Sequence, residues 1–294
     1  MIKHPLGDPV SVEDVVFPPL ARSYFSSCFP RIKQSLPLDF NADMATRDFL
    51  ESALESVDAA RNGREADREF TARGKKSCIV AAPGPTLENR IDVLAPLFEK
   101  LGKLMAIISV DGAARLLMDR GMHIDLVVTD LDGLTTDDII KLHDKWHSTI
   151  IVHGHGDNLP AVKALLERVT PDDRYVFTTQ VEPTRHVCNF GGFTDGDRAV
   201  FVGMAFGFTR LVLVSMDLDA STIGSYSKPG LANTPDGARA TARQPVKLRK
   251  LQVALSTLRW LAREAPPGCR IQTFQKRPPF DFLDDSTTVE DLAR

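Results

Sequence analysis

The stretch Ile124–Gly133, IDLVVTDLDG, decides the fold because an apolar run ends in two carboxylates, Asp130 and Asp132, one residue apart. A short apolar run bounded by polar residues predicts a buried strand. Two like charges at the end of such a strand repel each other unless a cation lies between them. The stretch therefore predicts both a sheet with buried strands and a bound cation.

Short apolar runs alternate with amphipathic stretches on both sides of this motif. Strands are predicted at SCIVAA, LMAIISV, IDLVVT, STIIVHG, RYVFTTQV, LVLVSM and CRIQTF. Helical periodicity separates several of them, as in LENRIDVLAPLFEKL, GAARLLMDRG and LPAVKALLERV. This alternation is typical of βα units, so we predict an α/β fold with a Rossmann-like, mostly parallel sheet flanked by helices.

The pattern of apolar and polar residues divides the chain into three parts. Residues 1–72 are predicted to be a mostly helical N-terminal region, since good helix formers and spaced apolar residues fill 44–70. We assign 73–275 to the α/β catalytic domain and 276–294 to a C-terminal tail. Within the domain, residues 224–245 have no apolar period and predict a long loop, such as a lid or a binding loop. The amphipathic helix after it begins KLRKL.

Composition limits the class of partner. The chain has 294 residues and a net charge of -3, which gives no basic footprint for nucleic acid or an anionic membrane. No apolar run approaches the roughly 20 residues of a membrane helix, and the four cysteines form no CxxC pair. We expect a cytoplasmic enzyme of small molecules. The oligomeric state stays open, with a homo-oligomer as one option.

Acidic residues follow four of the predicted strands. These are Asp111 with Gly112, Asp130 with Asp132, Asp157 with Asn158, and Asp217. In a parallel sheet such ends share one edge, where ligands bind. Helix capping explains any one of them but explains the set less well, particularly since Asp195 and Asp197 stand before a further helix. Hard oxygen ligands without a Cys/His metal pattern favour Mg²⁺ over Zn²⁺.

Anion-binding groups are predicted near these acids. The turn APGPTLEN places Gly84, Pro85 and Thr86 directly before a helix, where backbone N–H groups can hold a phosphate. It is neither a GxGxxG nor a Walker A sequence, which argues against a dinucleotide enzyme or a P-loop kinase. Arg198 follows the acidic pair directly. Lys247 and Lys250 could also neutralise phosphate, although such a row is more often the solvated face of a helix.

DLDGLT also has the form of the strand-end DxDG(T) motif of haloacid-dehalogenase-type phosphatases, in which the first Asp is a nucleophile. That interpretation leaves GFTDGDRA, HGDN and DGAA without roles. The motif also stands after several strands instead of opening the domain. A magnesium site explains more of the sequence.

Six motifs together resemble the archaeal-type 6-hydroxymethyl-7,8-dihydropterin pyrophosphokinase family, which is distantly similar to thiamine pyrophosphokinases. They are GPTL, DGAARLL, HIDLVVTDLDG, VHGHGDN, GGFTDGDRAV and KLRKL, and they extend over roughly residues 77–262 in the same order. The resemblance implies a catalytic core like that of thiamine pyrophosphokinase. It also implies Mg-dependent transfer of diphosphate from ATP to the pterin hydroxymethyl group, with release of AMP, in tetrahydromethanopterin or folate biosynthesis.

The resemblance, read together with the acids, assigns expected roles to individual residues. Mg²⁺ is expected on Asp111, Asp130, Asp132 and Asp197, and the catalytic set is Asp130, Asp132, Asp195, Asp197 and Arg198. ATP and its phosphates are expected on Gly84, Pro85, Thr86, Asp111, Gly112, Lys247 and Lys250. The reduced pterin is expected on His155, Asp157, Asn158, Gln180 and Phe193, with Phe190 as a further candidate, although both phenylalanines are at least equally suited to an ordinary core.

Other functions remain open on the sequence alone. The same broad family includes motility-associated proteins thought to transfer nine-carbon sugars, which are usually longer chains. A thiamine pyrophosphokinase-like enzyme and a non-catalytic nucleotide-binding module are two further alternatives. The number of acids at one predicted edge favours the kinase over the module.

Overall fold

Parallel strands dominate the computed structural model, which describes residues 11–60, 74–172, 174–218, 224–227, 245–274, 279–283 and 286–292. The strands are β1 Ser77–Ala81, β2 Met105–Val110, β3 Leu126–Thr129, β4 Thr149–His153, β5 Tyr175–Thr178, β6 Val187–Cys188, β7 Arg210–Val214, β8 Arg270–Phe274 and β9 Ser286–Thr287. They form one sheet in the order β6-β5-β4-β3-β2-β1-β7-β8-β9. Every neighbouring pair is parallel, which confirms the predicted α/β fold.

Helices cover both faces of the sheet. They are α1 Val12–Val16, α2 Pro19–Ser27, α3 Phe29–Ser35, α4 Phe40–Ala60, α5 Leu87–Leu94, α6 Phe98–Leu104, α7 Ala113–Asp119, α8 Thr136–Trp146, α9 Leu159–Leu166, α10 Asp195–Ala205, α11 Pro245–Glu264 and α12 Val289–Leu292. Short 3₁₀ turns lie at Ala95–Leu97 and Gly156–Asn158. The first turn interrupts the predicted helix LENRIDVLAPLFEKL, because Pro96 has no N–H to continue the hydrogen-bond ladder. None of the described helices has the length and apolar content to cross a membrane.

Strand side chains alternate between two buried cores. In β1, Cys78 and Val80 point into a core shared with α2, α10 and α11, whereas Ile79 and Ala81 point into a core shared with α4, α5 and α7. A sheet buried on both faces explains why its strands are continuous apolar runs. The N-terminal helices belong to these same two cores, so the predicted helical region packs against the sheet.

Two strands lie outside the predicted set, namely β6 and β9. Each has two residues, which is too short for a periodic signal. Because β9 pairs with β8, part of the predicted C-terminal tail belongs to the sheet. Of the predicted loop 224–245, residues 224–227 and the first residue of α11 lie within the described part of the chain.

A partly buried ion pair lies at the amino ends of β1 and β3. Asp125 Oδ1 lies 3.4 Å from Lys75 Nζ, and Asp125 Oδ2 accepts a hydrogen bond from the Ile107 N–H at 2.9 Å. Burial opposes ionisation of Asp125. The hydrogen bonds from His123 and Ile107, together with the Lys75 charge, nevertheless hold the pKa of Asp125 below its ordinary value. Its ionised form therefore stabilises the folded state.

Replacing Asp125 with alanine is expected to lower the free energy of unfolding by about 2 kcal/mol at pH 7, because a partly buried ammonium and the Ile107 N–H lose their partner. A depressed folded pKa contributes stability above the unfolded pKa and loses it as pH falls through the folded pKa. The difference from wild type should thus shrink below about pH 4. Urea unfolding at pH 7 and pH 3 measures both. Asp92→Ala, which removes a surface pair with Arg120, should cost under about 0.5 kcal/mol. Equal losses would contradict the assignment.

Candidate active site

Three of the predicted acids meet at the carboxyl ends of β2 and β3. Asp111 follows β2, and Asp130 and Asp132 follow β3. The two strands are adjacent, with Val110 beside Val128. Each of the three carboxylates has an oxygen within 4.8 Å of the others. We call Asp111, Asp130 and Asp132 the acidic cluster.

The backbone around the acidic cluster aims Asp111 inward. Asp111 has a φ of 44°, a left-handed conformation that is uncommon outside glycine. Its Oδ1 accepts hydrogen bonds from Thr129 Oγ1 at 2.7 Å and from the Gly133 N–H at 3.2 Å. A Cβ at Gly133 would lie 1.8 Å from Asp111 Oδ2, so glycine is required for this approach. The glycine of DLDG thus holds a carboxylate from the preceding strand end.

Electrostatic repulsion within the acidic cluster is large. Burial, together with the charges of Asp130 and Asp132, raises the pKa of Asp111 to about 8. Burial and the charges of Asp130 and Asp111 also raise the pKa of Asp195 well above its ordinary value. The site therefore stabilises positive charge placed among these carboxylates.

Asp130 has a different electrostatic environment. Burial opposes its ionisation, but His155 lowers the pKa of Asp130 below its ordinary value. His155 Nε2 lies 3.6 Å from Asp130 Oδ2, and the charge of Lys250 acts in the same direction. Asp130 Oδ1 accepts the Asp132 N–H at 3.1 Å. The contact with His155 therefore favours the ionised form of Asp130.

The donor set of the acidic cluster fits a magnesium ion. It offers carboxylate oxygens, which are hard ligands, from residues held by the backbone of two adjacent strand ends. Burial first, and then the charges of Asp130 and Asp132, oppose ionisation of Asp111, and a cation among these carboxylates would offset both effects. The residues present are thus suited to a divalent cation.

Asp197, predicted as a metal ligand, lies outside the acidic cluster. One of its oxygens accepts the Phe193 N–H at 2.7 Å. The other accepts the N–H of Thr194 at 2.8 Å and the hydroxyl of the same residue. These bonds form a capping box at the start of α10. Asp197 therefore closes a helix end, which is the local role that capping predicts for an acid at this position.

Arg198 is enclosed by the protein, with 1% of its surface exposed. Its Nη2 donates to the Phe193 carbonyl at 3.1 Å. Burial lowers the pKa of Arg198, and the charges of Asp195 and Asp197 oppose that shift. The predicted contact between Arg198 and phosphate is not supported by this burial. The charge of the buried guanidinium acts on Asp195 and opposes the rise in the pKa of that carboxyl.

The predicted phosphate turn already binds a carboxylate of the chain itself. The Thr86 N–H donates to Asp217 Oδ2 at 2.8 Å, and the Gly84 N–H donates to the Ser215 carbonyl at 3.1 Å. Pro85, between them, has no N–H to donate. The prediction that Gly84 and Thr86 cradle phosphate is therefore not supported. Asp217 occupies the anion position at the start of α5.

Gly112, predicted to contact ATP, packs against the backbone of Tyr226. A Cβ at Gly112 would meet the Tyr226 carbonyl at 1.8 Å, and Arg115 Nη2 donates to the same carbonyl at 2.9 Å. Ser227 Oγ donates to the Pro83 carbonyl at 3.1 Å. Residues 224–227, the first part of the predicted loop, are thus docked over the ends of β1 and β2.

The residues predicted for the substrate differ in their availability. Asp157 is exposed, and His155 is half-buried beside Asp130. The side-chain amide of Asn158 is hydrogen-bonded within the protein. Its Nδ2 donates to the carbonyls of Asp130 and His153, and its Oδ1 accepts the His155 N–H. It ties the β3 and β4 ends together and is unavailable as a substrate donor.

The remaining residues predicted for the pterin and for phosphate lie in the hydrophobic core, beside α4 or on α11. Phe193, like Phe190, belongs to the hydrophobic core. Gln180 is 8% exposed and donates from Nε2 to Asp43 Oδ2 at 2.6 Å. Lys250 is exposed on α11, whereas the side chain of Lys247 lies outside the described residues. Sequence reasoning missed Asp43, which stands in no recognised motif, and Thr129, which stands in IDLVVTDLDG but was passed over because it is not acidic.

Comparisons with known proteins connect this geometry to a family. A family model described as "6-hydroxymethylpterin diphosphokinase MptE-like" matches residues 51–222. Three archaeal relatives are each named 6-hydroxymethyl-7,8-dihydropterin pyrophosphokinase. The protein from Methanothermobacter thermautotrophicus is 38% identical over 63% of this chain and 73% of its own length. The protein from Pyrococcus furiosus is 38% identical over 52% of this chain and 61% of its own length. The protein from Methanocaldococcus jannaschii is 28% identical over 79% of this chain and 92% of its own length.

A solved structure entitled "Structure of MAf glycosyltransferase from Magnetospirillum magneticum AMB-1" also matches. It is 17% identical, has a TM-score of 0.36, and covers 73% of this chain and 33% of that one. A likeness at this level supports no conclusion about function.

Proposed function

The chain belongs to the MptE-like 6-hydroxymethylpterin diphosphokinase family, and from that premise we propose that it transfers the diphosphate group of ATP to 6-hydroxymethyl-7,8-dihydropterin. The observation that carries the proposal is the acidic cluster at the ends of β2 and β3. Diphosphate transfer develops charge on phosphate oxygens, and its catalysis consists mainly of positioning and of neutralising that charge. A cation held by such a cluster serves this purpose.

We propose that Asp111, Asp130 and Asp132 hold Mg²⁺. When bound, the ion neutralises phosphate oxygens and orients the diphosphate for attack. Thr129 and Gly133 orient Asp111 through the hydrogen bonds to its Oδ1. His155 and Asn158 position Asp130, the first beside its carboxylate and the second at its carbonyl.

In the transfer itself, the pterin hydroxyl oxygen forms a bond to the β-phosphorus of ATP. The bond between that phosphorus and the bridging oxygen to the α-phosphate breaks, and AMP leaves. Asp195 is suited to accept the hydroxyl proton, because its pKa is raised by burial and by the acids around it. Lys250, an exposed ammonium whose charge reaches Asp130, is suited to neutralise phosphate.

The product would enter tetrahydromethanopterin or folate biosynthesis, and we place the enzyme in the cytoplasm. Both statements follow from the proposed substrates and from the composition of the chain.

The proposal is tested by measuring AMP formation from ATP and Mg²⁺, with the reduced pterin and thiamine offered in parallel. We expect AMP with the pterin only, and none after chelation of the metal. AMP formation with thiamine only would show that the acceptor is thiamine and not the pterin. Folded protein that binds ATP but forms no AMP with either acceptor would refute the proposed activity.

A further inference from the structure

Helix α4 holds the two loops at the carboxyl ends of β4 and β5. Its polar side chains contact backbone or hydroxyl groups of both loops. The contacts include Thr46 Oγ1 to the His155 carbonyl at 3.2 Å, Arg47 Nη1 to the Glu182 carbonyl at 3.1 Å, and Glu51 Oε2 to the Thr184 hydroxyl at 2.5 Å. The N-terminal helical region therefore forms one wall beside the acidic cluster.

Asp43 joins the two loops at the start of this wall. It is 4% exposed. Its Oδ1 accepts the Gly156 N–H at 2.8 Å, and its Oδ2 accepts Gln180 Nε2 at 2.6 Å. Gly156 follows His155, whose Nε2 lies 3.6 Å from Asp130 Oδ2. Asp43 is thus connected to the acidic cluster through one short loop.

The carboxylate of Asp43 determines which way the Gln180 amide faces. A carboxylate only accepts hydrogen bonds, so the amide must turn Nε2 toward Asp43 and Oε1 away from it. Within the described part of the chain, no donor is bonded to Gln180 Oε1. Gln180 therefore presents an oriented acceptor beyond the end of β5, two strands from the end of β3.

We propose that Asp43 is a positioning residue for acceptor recognition, which orients Gln180 so that Oε1 accepts from the N–H groups of the pterin amino-pyrimidinone edge. This inference rests on the proposed function. The chemistry matches because that edge carries two adjacent donors, a ring N–H and an exocyclic amino group. Asp43 precedes residue 51, where the match to the family model begins, so the match does not include it.

The first test is Asp43→Asn. The introduced amide can keep one acceptor for the Gly156 N–H, but it then presents an NH₂ group to Gln180. The Gln180 amide must turn over to accept it, which places Nε2 against the donors of the pterin. We expect the Kd and KM for the pterin to rise by about tenfold or more, with the KM for ATP unchanged within about twofold. The pterin Kd is read by fluorescence titration without ATP or metal.

A second substitution should restore recognition. In Asp43→Asn with Gln180→Glu, one oxygen of the new carboxylate accepts from the introduced amide, and the other faces the pterin. The pterin Kd should return to within about threefold of wild type. If Asp43 acts only through its bond to the Gly156 N–H, the second substitution should give no such recovery. Asp48→Asn, the same change at an exposed position of α4, is the matched control and should leave all constants unchanged.

The outcomes separate this inference from the proposed function. Wild-type protein that forms no AMP with the pterin overturns the proposed function. Active wild-type protein with an unchanged pterin Kd in Asp43→Asn overturns the positioning role alone. If that variant does not fold, Gln180→Met decides, because it removes the acceptor and keeps the size of the side chain. An unchanged pterin Kd in Gln180→Met also refutes the inference.

Discussion

Asp130→Asn is expected to lower kcat by about a thousandfold, or ~4 kcal/mol of transition-state free energy. The substitution removes the carboxylate charge of Asp130, whose pKa is below its ordinary value, and leaves a side chain of the same shape. Its oxygen can still accept the Asp132 N–H, so the loop after β3 should keep its conformation. Steady-state rates of AMP formation with the reduced pterin measure the loss.

The matched control is Asp137→Asn. Asp137 lies in the first turn of α8, is exposed, and pairs with Arg168 at the surface. Its replacement should change kcat by less than about twofold, since exposed pairs contribute little. If Asp130→Asn retained wild-type turnover while folded, the cluster could not be the metal-binding part of the site.

Mg²⁺ is expected to stabilise the folded protein by about 2.7 kcal/mol at one hundred times its Kd. The reason is that the proposed site, with carboxylate oxygens within 4.8 Å of one another, exists in the folded protein and not in the unfolded chain. Urea unfolding with Mg²⁺ and with chelator measures the difference, and it does not depend on turnover.

Asp130→Asn provides the internal comparison for this effect. Without metal, the variant should be less stable than wild type, because the lowered pKa of Asp130 means that its charge is stabilised in the folded state by His155 and Lys250. With Mg²⁺ it should gain little stability. Equal stabilisation of both proteins by Mg²⁺ would show that the ion binds elsewhere.

Sequence reasoning located the acidic cluster because its evidence is local. A buried apolar run ends at Thr129 and the next residue is an acid, as it is after Val110. Adjacent parallel strands must then bring both ends together. The strand β6 had no comparable signal, since two residues carry no period.

The phosphate turn shows why other predictions fell short. Gly84 and Thr86 have the composition of an anion site, and an anion does bind there, but it is the carboxylate of Asp217. The two partners, Thr86 and Asp217, are 131 residues apart. Asp197 and Arg198 illustrate the same limit. Their residue types suit metal and phosphate, yet Asp197 caps α10 and Arg198 is buried in the first turns of the same helix.

By itself, the sequence determined the α/β class, most strands of the parallel sheet and the three acids at its edge, because strand period and strand-end residues are properties of neighbouring positions. Only the tertiary structure decided which polar groups remain available. In the folded protein, the Thr86 N–H is hydrogen-bonded to Asp217, and the Gln180 amide is oriented by Asp43, 137 residues away. Each polar group makes a limited number of hydrogen bonds, and the partners that take them come from distant parts of the chain. A single motif therefore cannot show which groups remain available to a ligand.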